Sequence, residues 1–229
     1  MTREQAAAKH PIRAVISDFG GVLTSPLMES FAAYQERSGI TAEALGRAMA
    51  EAAEKDGGRH PLFELEKGRI SEADFLSRVE EELGSDVKLD RLRETYFEHL
   101  RPNRPMIELM RTLRGHGLRM ALLTNNVREW EPQWRSKLPD LDDIFEVVID
   151  SAFVGMRKPE PGIYELTLQR LGRGLGAADC LFVDDVEVNC EAARALGMQA
   201  VRFEHNAQAV AEIEAAVEPG RKKETRSGA

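Results

Sequence analysis

The sequence predicts an α/β fold: a parallel sheet with helices on both faces, interrupted by an inserted α-helical segment. Three observations predict it. Short apolar runs around Val15, Ala121, Val148, Phe182 and Val201 alternate with helix-type patterns. Such runs, bounded by turn signals, read as buried parallel strands, and strand–helix alternation implies crossover connections. Between the first and second runs lies a stretch of helical periodicity, 25–100, with no strand pattern. Finally, polar residues stand where strands end, and open α/β sheets bind ligands outside the carboxyl ends of their strands.

The bulk properties bound the answer. The chain has 229 residues and a net charge of -8, enough for one sizeable core or a core with a smaller insert. It lacks the clustered Lys and Arg of a nucleic-acid footprint. No apolar run is long enough to span a membrane, and Met1–His10 has no apolar core like that of a secretory signal. Cys180 and Cys190 read as buried free thiols, not as a disulfide or a metal pair. The expectation is a cytoplasmic protein whose partner is a small molecule. Its oligomeric state is not readable.

Taken in order, the elements begin with a strand from Ile12 that stops at Asp18. Leu27, Phe31 and Tyr34 share one helical face. Thr41 caps a second helix through Ala53, and 55–61 is a loop by composition. Ser71 with Asp74 fits a capping box opening a helix that Gly84 ends. Another helix covers 90–100. Next come a helix over 106–114 and a strand over 118–124. An irregular connector carries Trp130, Pro132 and Trp134. A strand over 144–149 precedes a helix over 161–171, with Pro161 in its first turn. A strand over 180–184, a helix over 189–196, a strand over 199–203 and a helix over 207–217 complete the pattern. The expected organisation is a core of 11–24 and 101–217, an insert of 25–100, and flexible ends at 1–10 and 218–229.

The residues at the strand ends point to chemistry. Asp18 is followed by Gly20 and Gly21, which let the backbone come close to a ligand. Each feature alone has a plainer reading. Asp18 can form an Asx turn, Thr124-Asn125-Asn126 can cap a helix, and Lys158 can be a solvated loop lysine. Together they make a site. Asp18, Asp184 and Asp185 are hard oxygen ligands that suit one Mg²⁺. Lys158 is a point charge for a phosphate and is expected to hold Asp18 ionised. Thr124 offers a hydroxyl and Asn125 an amide to a phosphoryl oxygen, and the backbone N–H groups at Gly20 and Gly21 can join them. An ionised Asp beside Mg²⁺ and Lys can attack phosphorus and form an aspartyl-phosphate that water cleaves.

This order and spacing resemble the haloacid dehalogenase superfamily of hydrolases over roughly Ile12 to Phe203. Asp18-Phe-Gly-Gly-Val-Leu-Thr24 is similar to the first motif of that family and Leu122-Leu-Thr-Asn125 to the second. Lys158-Pro159 is similar to the third, and Phe182-Val-Asp-Asp185 with Asn189 to the fourth. The resemblance implies a Rossmann-like core with an α-helical cap at the insert. It implies Asp18 as nucleophile and metal ligand, the Gly20 carbonyl and Asp185 with Asp184 as further Mg²⁺ ligands, and Thr124, Asn125 and Lys158 on the phosphoryl group. Gly20 departs from the pattern. Most phosphatases of the family carry there an Asp that serves as general acid and base. The Gly variant resembles phosphatase-like domains attached to some acyl-CoA dehydrogenases.

The function expected is a Mg²⁺-dependent phosphohydrolase acting on a small phosphorylated metabolite. A metal-binding sensor or interaction protein of little turnover is the alternative, motivated by Gly20. A dehalogenase is disfavoured because displacing halide from carbon does not need the Asp184-Asp185 pair. Within the insert, Arg59, His60 and Arg69 are the candidates for substrate contact, although each also reads as a solvated residue.

Overall fold

A computed structural model describes residues 11–84, 86–172 and 174–224. The expected flexible start at 1–10 and residues 225–229 lie outside the described residues. The chain begins with β1 (Ala14–Ser17) and then α1 (Leu27–Ser38), α2 (Ala42–Lys55), α3 (Pro61–Glu66), α4 (Glu72–Leu83) and α5 (Leu92–His99). It continues with α6 (Arg104–Gly115), β2 (Arg119–Thr124), α7 (Glu131–Ser136), α8 (Leu141–Ile144), β3 (Val147–Asp150), α9 (Ser151–Val154) and α10 (Pro161–Leu171). Last come β4 (Cys180–Asp184), α11 (Glu187–Ala195), β5 (Gln199–Arg202) and α12 (Asn206–Glu224).

The five strands form one parallel sheet in the order β3-β2-β1-β4-β5. This is the predicted α/β, Rossmann-like architecture. After β1 the chain moves outward through β2 to β3, then crosses back to lay β4 and β5 on the other side. The reversal falls between β1 and β4, where such sheets open a crevice at their carboxyl ends. The period-2 alternation of strand side chains divides the core between the two faces. Val15, Met120, Leu122, Leu181 and Val183 pack with α6, α7 and α12. Ile16, Ala121, Leu123 and Phe182 pack with α10 and α11. Both cysteines are buried thiols on that second face, as expected.

Helices α1–α5 carry a separate apolar cluster that includes Tyr34, Leu45, Phe75, Val79 and Leu92. Thr41 accepts from the Ala44 N–H, and Ser71 and Asp74 form the reciprocal capping box. Two strands of chain tie the insert to the core. Thr24 bridges Pro102, and the Ser25 N–H donates to the Arg101 carbonyl at 2.7 Å.

Four local expectations are corrected. Helix α3 falls partly within the expected loop. Six residues are too few to show a period, and Pro61 at its first position starts it without needing an N–H donor. The Trp130–Trp134 connector is a 3₁₀ turn over Arg128–Trp130 leading into α7, with Pro132 in the tolerated first turn. The run 144–149 is divided between α8 and β3, because a short apolar run fits a buried helical turn as well as a strand. Helix α12 continues to Glu224 instead of ending at Val217, since extending a formed helix costs less than nucleating one.

Ile16 is fully buried in the central strand. Ile16→Ala should therefore destabilise the protein by about 2–5 kcal/mol, read as a lowered urea midpoint with an unchanged m-value. A midpoint equal to that of the native protein would show that this face of the sheet is not closely packed.

Candidate active site

The sheet delivers the site residues by its register. The Asp18 N–H donates to the Val183 carbonyl at 2.8 Å, one step beyond the last paired residue of β1. Asp18 therefore leaves the central strand beside Asp184, the last residue of β4. Asp18, Asp184 and Asp185 present oxygens within 4.8 Å of one another. Thr124 ends β2 next door. All but Asp184 of these four line a cavity of about 490 Å³ between the strand ends and the insert.

Lys158 organises the cluster from below. Its ammonium lies 2.8 Å from Asp18 Oδ1 and 2.6 Å from Asp184 Oδ2, and the side chain is 1% exposed. Burial opposes its charge, but Asp18 and Asp184 more than reverse that and raise its pKa. Asn189 donates to both Asp184 oxygens, and the Val186 N–H donates to Oδ1 at 2.8 Å. Asp184 is thus fully buried with both oxygens occupied. Its oxygens meet Lys158 and Asn189 within the same carboxylate cluster as Asp18 and Asp185.

Two further residues have structural partners. The Asn125 amide, on the cavity wall, is held by the backbone of Lys158. It donates to the Lys158 carbonyl at 3.0 Å and accepts from the Lys158 N–H at 2.8 Å, clamping that backbone. The Gly21 N–H donates to Thr24 Oγ1 at 3.2 Å, which leaves Gly20 as the free backbone donor of the pair. Thr124 Oγ1 has no partner among the described residues. On Asp18 both contacts, from Lys158 and from the Phe19 N–H, fall on Oδ1. Oδ2 is open.

Burial sets the electrostatics. It pushes the Asp18 pKa up to about 7, with Lys158 pulling it down and Asp184 and Asp185 adding to the rise. Lys158 pulls Asp18 toward the ionised form, as expected, but desolvation and two like charges outweigh one ammonium. Burial and Asp184 likewise raise Asp185. Three carboxylates around a single ammonium leave a deficit of positive charge, which a hard divalent cation fits. The backbone is shaped for such a group. Gly21 has φ +77°, and a Cβ there would lie 2.3 Å from Asp185 Oδ2. Only glycine lets the two approach.

The insert contributes residues that its sequence did not single out. Tyr96, Glu66 and Phe63 line the cavity, and Arg157 joins them from the core. Glu66 pairs with Arg157 at 2.5 Å, and the Arg157 guanidinium lies 4.0 Å from the centre of the Phe63 ring. Burial raises the Glu66 pKa. Burial, then Asp18 and Asp185, raise that of Tyr96 and keep its phenol protonated. The spacing of Phe63 and Glu66 is one helical step, a signal hidden by the shortness of α3. By contrast Arg59 pairs with Asp56, Arg69 with Glu64, and His60 stacks on Phe63 at 4.3 Å. None of these three candidates lines the cavity.

Comparison with known proteins identifies the family. The haloacid dehalogenase-like hydrolase family matches residues 12–197. The chain belongs to that family. Acyl-CoA dehydrogenase family member 10 of Mus musculus is 29% identical over 209 residues, 89% of this chain but 19% of that protein. Sesquiterpene phosphatase astK of Aspergillus oryzae is 32% identical over 147 residues, 59% of this chain and 68% of that protein. An enzyme of the same family from Bacteroides thetaiotaomicron, solved with magnesium and inorganic phosphate, superposes with a TM-score of 0.62 at 24% identity. That match covers 84% of this chain and 94% of the other. No helix among the described residues is long and apolar enough to cross a membrane.

The raised Asp18 pKa has a consequence for stability. Between its unfolded value of 3.8 and its folded value of about 7, the folded protein binds more protons at this group than the unfolded chain does. Stability from this group is present below that window and is lost as pH rises through it. In metal-free buffer the native Tm should therefore fall relative to that of Asp18→Asn between pH of about 5 and 8. A constant difference between the two melting curves would show that Asp18 titrates as an ordinary carboxylate.

Proposed function

We propose that this member of the haloacid dehalogenase-like hydrolases is a Mg²⁺-dependent phosphohydrolase of small phosphorylated metabolites, working through an aspartyl-phosphate at Asp18. The observation that carries the reading is the open Oδ2 of Asp18, facing a cavity that holds Lys158 and the unpartnered Thr124 hydroxyl. A phosphatase among the relatives and a structural neighbour solved with magnesium and phosphate support it.

Mg²⁺ would be held by Asp18, Asp185 and the Gly20 carbonyl, where it would supply positive charge to carboxylates and phosphoryl oxygens. Thr124, Lys158 and the Gly20 N–H bind and orient the phosphoryl group. Asp18 Oδ2 attacks phosphorus, the ester P–O bond breaks, and the alcohol oxygen leaves and takes a proton. Water then attacks phosphorus. The bond from phosphorus to Asp18 breaks, returning the carboxylate and releasing phosphate. Asp184 has a positioning role: with Asn189 and the Asn125 clamp it fixes Lys158.

Asp18→Asn should keep the fold and lose nearly all phosphate release, because an amide is a poor nucleophile. For the native protein, Mg²⁺ at 100 times its Kd should add about 2.7 kcal/mol of stability, and Asp185→Asn should remove most of that gain. Normal turnover by Asp18→Asn, or a melt indifferent to millimolar Mg²⁺, overturns the mechanism or the metal site respectively.

Gly20 sets the leaving-group preference. General acid catalysis contributes about 10²–10⁴-fold, and the missing carboxyl should be felt most where the departing oxygen is most basic. Alkyl phosphates should turn over more slowly than aryl or acyl phosphates. The Gly20 backbone lies outside the left-handed region, and the atoms nearest a Cβ there belong to the Leu27 side chain, the closest at 3.3 Å. Gly20→Asp requires Leu27 to give by a few tenths of an ångström, and should raise alkyl-phosphate turnover selectively. A rate independent of leaving-group pKa in the native protein would mean that another group already donates the proton, and Tyr96 is the protonated group in place to do it.

A further inference from the structure

A second cavity, of about 320 Å³, lies in the insert beside the first. The two share Leu27, Glu66, Tyr96, Asn125 and Asn126 as lining, so they adjoin along a common wall of side chains. Their chemistry is opposite. The first chamber holds the carboxylates, Lys158 and Thr124. The second is walled by aliphatic and aromatic side chains of α1–α5, among them Leu45, Phe75, Leu76 and Leu92.

Among the described residues, most polar groups that reach the second chamber are already engaged, the exceptions being the Tyr96 hydroxyl and the Asn126 amide N–H groups on the wall it shares with the first. Glu66 pairs with Arg157. Glu72 accepts from Trp130 Nε1 at 2.7 Å and from Arg93 at 3.0 Å. Asn125 clamps Lys158, and Asn126 Oδ1 accepts from the Val127 N–H. A polyol placed there would lose its hydration and recover few hydrogen bonds, at a net cost. Nor is there a spare cation for a second phosphate or a carboxylate: of the cationic residues lining the two chambers, Lys158 serves the first phosphate and Arg157 is paired with Glu66.

The rim repeats this character. Among the described residues five large apolar side chains are exposed, and four of them, Met28, Phe63, Val186 and Val188, line one chamber or the other. Scattered exposed apolar residues need no explanation, but a concentration around one opening marks a binding surface.

From these observations we infer that the second chamber binds the apolar tail of the substrate, and that the protein acts on phosphate monoesters of hydrocarbon-chain alcohols. The inference rests on the phosphohydrolase reading of the first chamber. The phosphate seats among Lys158, Thr124 and Gly20 while the chain passes Leu27 and Tyr96 into the insert.

The test is a series of linear alkyl monophosphates, from ethyl to decyl, assayed for phosphate release by the full chain with Mg²⁺. Leaving-group pKa is nearly constant along the series, so the rates report the tail. Each methylene buried should raise kcat/KM about fourfold until the chamber is full, and Leu76→Trp should move that plateau to shorter chains. A flat or falling series, with p-nitrophenyl phosphate hydrolysed normally, overturns the chamber assignment and leaves the phosphohydrolase standing. Calorimetric Kd values for the same esters on Asp18→Asn read the tail without turnover. Kd independent of chain length sinks the chamber, whereas tightening with chain length on Asp18→Asn and no hydrolysis of any ester by the native chain sinks the phosphohydrolase reading.

Discussion

The buried ammonium of Lys158 between Asp18 and Asp184 is the interaction on which the site depends. A charge taken out of water is tolerated only with close partners, and removing one partner of such a pair costs about 3–5 kcal/mol. Every nearby group serves that arrangement. Asn125 fixes the Lys158 backbone from β2, Asn189 and the Val186 N–H fix Asp184 from the start of α11, and the sheet register fixes Asp18. Lys158 itself comes from the loop before α10, on the crossover that reverses the sheet. The topology thus brings a cation from the crossover against carboxylates from the two strands where the strand order turns.

The arrangement is unbalanced by design of its composition: one ammonium faces three carboxylates. A purely structural ion pair would be closer to neutral. Here the excess negative charge is left on Asp18 Oδ2 and Asp185, the two groups that open to the cavity. Asp184, which could have shared it, is neutralised by Lys158 and hydrogen-bonded on both oxygens. Adjacent residues of one strand end therefore do different work, because successive side chains leave a strand in opposite directions.

Much of this was legible in the sequence. Asp18, Thr124 and Asp184 each close an apolar run, and Gly20-Gly21 after Asp18 signalled a close backbone approach, which Gly21 makes to Asp185. What was not legible depends on tertiary distance. The Glu66–Arg157 pair joins residues 91 apart, and neither member lies in a periodic element long enough to reveal its face. Residue type also misled. Arg59, His60 and Arg69 drew attention as polar groups of the insert, yet each finds a partner on the insert itself. Asn125 is expected on the phosphate because an amide can donate, and the sequence could not show that it also holds the Lys158 backbone.

The Glu66–Arg157 contact links these two lessons. Arg157 stands next to Lys158 and faces the cavity, so by residue type it should be a second anion anchor. Glu66, reaching across from α3, neutralises it, and the Phe63 ring covers one side of the guanidinium. Burial raises the Glu66 pKa against the pull of Arg157, so the carboxylate is costly to keep there, and hydrophobic replacement of such a pair is often neutral or stabilising. In the proposed function its role is what it denies to the site. With Arg157 occupied, the cavity would offer one anionic group a seat, at Lys158 and Thr124, and the remainder of a ligand an apolar wall. On that proposal the insert sets selectivity by closing polar options as well as by shaping space. This is specificity through the penalty placed on the wrong ligand, carried by a residue that need not touch the right one.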